Sequence, residues 1–359
     1  MRNSVGAILA VAAFALVASG CATRLPAGTE GSGIEGGPTA HPKAQAVLRS
    51  VRLDPGLEDR ILALDPDRIT VDELSATLTK APAPRIILIH GGIFPVYIAM
   101  ESAGEFLVGM GYPENRIRHP GDQRWSHSPY ENSAQIAGLI AWYYEHDGMR
   151  PMMIGHSQGG LAAIKVLYDL AGRFDNPIRV WNPYLDDAEN RTSIVDPLSG
   201  AVHPVIGLTM SYASVVGAGG ISLVLPNQWA IADKYRTIPD TVDEFTGYSL
   251  GLDLIAWTLP GVKETSEFRH NGTALVRSIV LPASYFHATV PAVQGLADDK
   301  AARDWIEAYR PGEPPPAAPP GTEGYAILWA ADVWHSVKKH WTLEAQRLIR
   351  ARRAVLGQP

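Results

Sequence analysis

Gly155-His156-Ser157-Gln158-Gly159 sets a serine between two glycines, each two positions away. A serine used as a nucleophile must be held out toward substrate, and the sharp turn that does this strains its backbone. Small residues two before and two after relieve the crowding. Gly160 adds room for close helix packing. The hydroxyl alone is a weak nucleophile, so it needs a base, and the base needs an orienting acid. The chemistry such a set performs is acyl transfer through a serine ester. The chain has 34 glycines, so the spacing by itself is weak, and its setting carries the weight. Pro151-Met152-Met153-Ile154-Gly155 reads as a short buried strand immediately before it, and Leu161 to Leu170 as a helix immediately after, apolar at 161, 164, 167 and 170.

The elements that must position this serine alternate between strand and helix. Arg85-Ile86-Ile87-Leu88-Ile89-His90 is a continuous apolar run bounded by Pro84 and Gly91, as a strand buried on both faces requires. Before it, Thr70-Val71-Asp72-Glu73 looks like a capping box, and Ala81-Pro82-Ala83-Pro84 stops the short helix it opens. A helix is expected around 96–109. Another is expected from Ser128-Pro129-Tyr130-Glu131, which combines N-cap, Pro and Glu signals, to about His146, ended by Gly148. Arg179-Val180-Trp181 suggests a further strand, and 192–206 a β-hairpin with a Pro/Gly turn. Phe245–Leu250 and Leu275–Leu281 read as strands, and 298–309 as a helix. The pattern predicts an α/β fold, a doubly wound, mostly parallel sheet, with a lid-like insertion at 183–244.

Residues 85–290 resemble the α/β-hydrolase superfamily, and Gly155–Gly160 is similar to the nucleophile elbow of bacterial lipases and esterases. In that family an earlier strand ends in His-Gly. The loop behind it supplies one backbone N–H to an oxyanion hole, and the residue after the nucleophile supplies the other. His90-Gly91-Gly92 ends the earlier strand here, so the resemblance implies Gly92 and Gln158 as the donors. His90 itself reads as structural. The family's order is serine, acid, base, each in a loop after a strand. His287 follows the 275–281 strand and fits the base; Asp253 follows the 245–250 strand and fits the acid. His335, with Asp298 as its acid, is the rival pair, but it sits in a helical stretch beside Lys338, Lys339 and His340. Asp186, Asp187 and Asp233 are weaker candidates for the acid. The resemblance implies carboxylic ester hydrolysis, with a small-molecule or lipid ester as substrate and no cofactor. Thioesterase, acyltransferase or peptidase chemistry, or a non-catalytic envelope lipoprotein, are the alternatives.

The rest of the sequence bounds the picture. The net charge is −6 with 19% charged residues, and no block of five or more Lys and Arg occurs, which argues against nucleic acid as a partner. No pair of histidines has the spacing and further ligands of a zinc site, so no metal is expected. Arg2 followed by an apolar run from Val5 to Val17 reads as a signal peptide. Val17-Ala18-Ser19-Gly20-Cys21 resembles a bacterial lipobox, which implies that Cys21 is lipidated and tethers the chain to a membrane of the cell envelope. In a Gram-negative host, Ala22 resembles an outer-membrane sorting signal. Cys21 is the only cysteine, so no intrachain disulfide is expected. The expected organisation is a signal peptide at 1–21, a Gly/Pro-rich tether at 22–45, a hydrolase-like domain at 46–310, a Pro-rich linker at 311–321 and a C-terminal helix at 322–359.

Overall fold

A computed structural model describes residues 42–174, 176–258 and 266–358, which all fall in one unit, Pro38–Pro359. The signal peptide, Cys21 and the tether as far as residue 41 lie outside the described residues. The last residues assigned to the tether are helical, because the helix Pro42–Ser50 begins there. The capping box at Thr70 forms as expected: its hydroxyl accepts from the Glu73 N–H, and Glu73 accepts from the Thr70 N–H.

Five strands make the central sheet: β1 (Ile86–Ile89), β2 (Met152–His156), β3 (Met210–Val216), β4 (Val242–Leu250) and β5 (Leu275–Leu281). They pair in chain order, and every pairing is parallel. The expectation of a doubly wound, mostly parallel sheet therefore holds for its parallel α/β character but not for its winding. The sheet is wholly parallel, and its strand order never reverses. Helices still cover both faces, because the long β1–β2 connection carries one to each side. Of these, α1 (Phe94–Gly109) packs with one core and α2 (Ser133–Asp147) with the other. Alternate strand residues serve the two cores: Leu88 and Ile154 face the first, Ile89 and Met153 the second. Helix α3 (Gln158–Leu170) joins the second core directly after β2.

Several elements differ from expectation, each for a local reason. The 183–244 segment is not one insertion, since Met210–Val216 inside it is the middle strand of the sheet. Two serines interrupt its apolar run and hide the strand signal; Ser211 satisfies its hydroxyl on the Arg150 carbonyl at 3.1 Å. Trp181–Asn182 pairs only with Asp187–Ala188, antiparallel and outside the sheet. The Asn182 side chain accepts from the Tyr184 N–H and turns the chain at once. The 192–206 hairpin is present as Ser193–Val195 with Val202–Pro204. Helix α2 starts at Asn132, whose side chain caps Ala134, and not at Ser128. Glu131 does accept the Ser128 N–H, as in a capping box, and also meets the His127 ring, but Ser128–Glu131 closes only a single turn and the helix starts anew from the Asn132 cap. Gly148 ends α2 at φ 69° as expected. Helix α4 (Lys300–Ala308) starts after Asp299, not at Asp298.

The Pro-rich segment does not detach a C-terminal domain. Helix α5 (Ile327–Leu356) buries Trp329, Trp334 and Trp341 in the first core. Asp332 on this helix accepts from Tyr248 at 2.5 Å, Arg277 at 2.9 Å and Tyr309 at 3.0 Å, which fixes it against β4 and β5. A buried carboxylate needs such partners, and they come from three separate elements.

Candidate active site

The elbow forms where β2 passes into α3. Ser157 has φ 55° and ψ −122°, a backbone conformation that L-residues rarely adopt. Its N–H donates to the Val216 carbonyl at the end of β3 (2.8 Å), and its carbonyl accepts from Gly160 (3.0 Å). The flanking glycines have no room for a side chain. A Cβ on Gly155 would come 2.6 Å from the Gly159 carbonyl oxygen, and one on Gly159 would overlap the His90 and Ile89 carbonyls. A Cβ on Gly160 would meet Ala218 at 2.9 Å. Strained backbone held by such packing is a feature of functional sites.

Asp253 and His287 reach this serine from the loops that follow β4 and β5. The His287 Nε2 lies 2.8 Å from Ser157 Oγ, and its Nδ1 lies 2.6 Å from Asp253 Oδ2. With Nδ1–H donated to the carboxylate, Nε2 is free to accept the serine proton. All three residues are buried, Ser157 at 8% exposure. The other oxygen of Asp253 accepts from the N–H groups of Ile255 and Ala256, each at 3.0 Å. Burial would raise the Asp253 pKa, but the hydrogen bond and charge of His287 and those two N–H groups outweigh it and hold the carboxyl below its usual range. His287 opens a short 3-10 turn, His287–Thr289.

Two residues near the triad carry roles that the motif does not announce. Gly217 has φ 64°, and a Cβ there would lie 2.7 Å from His287 Cε1. Its lack of a side chain makes the slot for the imidazole; the signal in the sequence is the cluster Gly217-Ala218-Gly219-Gly220 that follows β3. His156, the variable residue of the elbow, is fully buried, and its Nε2 donates to the His287 backbone carbonyl at 2.8 Å. Burial, then the proximity of His287, push its pKa down to about 3, so it stays neutral.

Gly91 packs directly behind the nucleophile: a Cβ there would be 3.1 Å from Ser157 Cβ and 2.7 Å from Val96. Gly92 is enclosed by the Gln158 side chain, which a Cβ would overlap, and by the Tyr130 hydroxyl, which donates to the Gly92 carbonyl at 3.2 Å. Gln158 is the first residue of α3, so its N–H has no partner within the helix and is available to an anion. Gly92 thus adjoins the Gln158 side chain, while Gly91 and Gln158 are the residues next to Ser157. His90 lies apart from the triad. Its Nδ1 donates to the Gly91 carbonyl, and its ring meets Tyr97 edge-on at 5.2 Å.

The rival pair does not assemble. His335 lies within α5, and the cavity it lines, of about 260 Å³, also holds Asp67, Arg277, Arg310 and Lys339. Burial pushes its pKa to about 4. Asp298 closes a different short helix, Gly295–Asp298. Asp186 accepts from the Trp181 indole (3.2 Å), Asp187 lies in the same exposed ribbon, and exposed Asp233 sits 3.9 Å from Lys234. Among the described residues no group of three or more His, Cys, Asp or Glu side chains could hold a metal ion.

The arrangement can activate a serine hydroxyl, hold the resulting imidazolium against a carboxylate, and offer backbone N–H groups to a nearby oxyanion. A comparison with models of protein families gave no match, and a comparison with curated proteins gave none either.

Proposed function

We propose that this protein is a serine hydrolase of the α/β-hydrolase type that cleaves carboxylic esters through an acyl-enzyme. The observation that carries this reading is the chain of hydrogen bonds from Ser157 through His287 to Asp253, centred on a serine held at positive φ. His287 takes the Ser157 proton as Oγ attacks the ester carbonyl. The N–H groups of Gly92 and Gln158 receive the oxyanion, and each such donor contributes on the order of 3 kcal/mol to the transition state. His287 then protonates the leaving alcohol. Water, deprotonated by the same imidazole, releases the acid and restores the serine. Asp253 keeps the imidazole in the required tautomer and stabilises its cation. Thioesterase, acyltransferase and peptidase chemistry use the same groups, because a fold does not fix a substrate.

The lipobox-like Val17–Cys21 segment supports a cell-envelope location with a lipid on Cys21. Among the described residues no helix is long and apolar enough to cross a membrane.

The test is hydrolysis of p-nitrophenyl esters from acetate to palmitate, alongside thioester, amide and alcohol-acceptor reactions. Ester cleavage that falls about 10⁴- to 10⁶-fold in Ser157→Ala and His287→Ala, and persists in His335→Ala, supports the reading. A well-folded protein inactive on every ester but active on a thioester or amide would move the assignment to that chemistry. Ester cleavage surviving in Ser157→Ala would refute the serine mechanism.

A further inference from the structure

The carboxyl edge of the sheet, where the triad lies, is distinguished by its surface. Phe94 follows β1 at 73% exposure, Trp229 follows β3 at 63%, Leu254 follows β4 at 70% and Phe286 follows β5 at 63%. Ile221 and Trp257 are exposed among them. These loops are continuous. The Ile221 N–H donates to the Ile255 carbonyl at 2.9 Å, and Gly251 donates to Leu281 at 2.9 Å. Gly91 abuts Ser157, and Gly217 abuts His287. The same stretches are almost without charge. No Lys, Arg, Asp or Glu occurs in 86–100, 151–164, 211–232 or 278–297, and in 245–258 the single one is Asp253, buried in the triad. A chain with 19% charged residues has concentrated them elsewhere.

We infer that this edge is a docking face for an uncharged, assembled lipid or ester surface, from which the scissile ester enters the site; the inference rests on the serine-esterase reading. Exposed apolar patches of this kind mark interaction surfaces. Phe94 lies three residues past Gly91, which abuts Ser157, and Leu254 and Phe286 are the chain neighbours of Asp253 and His287, so whatever docks there covers the nucleophile. A permanent protein partner or a second copy would block the site, whereas a surface that carries the ester both covers the patch and supplies the substrate. Anionic membranes are recognised by clustered Lys and Arg, and the stretches 86–100, 211–232, 245–258 and 278–297 that carry the exposed apolar side chains have none. Burial of the apolar side chains therefore drives docking, and salt has little effect on it.

Hydrogen–deuterium exchange of the full chain carrying Ser157→Ala tests this without turnover, using dioleoylphosphatidylcholine vesicles. Vesicles should slow exchange on the order of tenfold in 92–98, 219–231, 251–257 and 283–289. The slowing should be unchanged by added phosphatidylglycerol and by about 0.5 M salt. Phe94→Asp and Leu254→Asp, made separately, should each lose this protection while exchange in β2 and β3 stays as before. Three results would overturn the inference: no protection in these loops with vesicles, protection only with phosphatidylglycerol, or protection without vesicles that grows with protein concentration and so reports self-association. Loss of the esterase reading would show in the ester assays and leave this measurement unaffected.

Discussion

The triad works only if His287 is held in one place, and two residues outside it do the holding. His156 donates to the His287 carbonyl from a fully buried position. His156→Ala should lower kcat on the order of tenfold, about 1.4 kcal/mol of transition-state stabilisation, with KM little changed. Steady-state kinetics check it; a KM effect with kcat intact would assign His156 to binding instead. Gly217 acts by absence. Gly217→Ala places a methyl 2.7 Å from the His287 ring at φ 64°. It should cost about 1–2 kcal/mol of stability through the left-handed backbone and at least a hundredfold in kcat by displacing the imidazole. Unfolding curves and kinetics on the same variant separate the two effects. The site was legible in part. Ser157 follows from the elbow spacing and its setting, His287 and Asp253 follow from the order of acid and base that the resemblance implies, and the structure brings these three together. Gly217, His156 and Tyr130 were not legible as site residues, because their roles depend on contacts with residues far away in the chain, 131 positions for His156 and His287.

At the scale of elements, strands buried on both faces and flanked by Gly or Pro were readable, and β1 and β2 lie where their apolar runs put them; β5, a largely exposed edge strand, also has the bounds expected of it. The middle strand β3 was not, since Ser211 and Ser214 break its apolar run and only their burial in the sheet reveals it. The lack of Gly and Pro from Tyr325 to Leu356 showed a long helix but not what it packs against. Its three buried tryptophans answer that: α5 belongs to the first core. Trp341 meets Tyr112 at 4.8 Å and donates its indole N–H to the Pro82 carbonyl at 2.9 Å. Trp341→Ala should therefore destabilise the whole unit by about 3–5 kcal/mol, read as a shift in the denaturation midpoint. A loss under 1 kcal/mol would mean that α5 is a separable appendage.

For the whole molecule, buried neutral histidines set the response to acid. Burial holds His156 down to about 3, and His119 and His335 down to about 4. Unfolded, each would titrate near its ordinary value of about 6.5. Between those values the unfolded chain binds more protons than the folded one, so stability rises with pH across this window and falls as pH drops below about 6.5. The Glu244 carboxyl, with its pKa lowered to about 2 by His340, Arg277 and Lys339 against the opposing effect of burial, adds a loss of the same sign. That loss begins below its unfolded value of about 4.3. Thermal denaturation from pH 7 to 4 should show a steadily falling midpoint; a flat profile would contradict the burial of these groups. The central claim, that Ser157 is an activated nucleophile in a His287–Asp253 triad, is tested most directly by covalent capture. The full chain is treated with a fluorophosphonate, and the adduct is located by peptide mass spectrometry. A single adduct on Ser157, lost in Ser157→Ala, strongly slowed in His287→Ala and Asp253→Ala and unchanged in His335→Ala, is the predicted result. No adduct on a folded protein, or labelling of Ser157 that does not depend on His287, would contradict it.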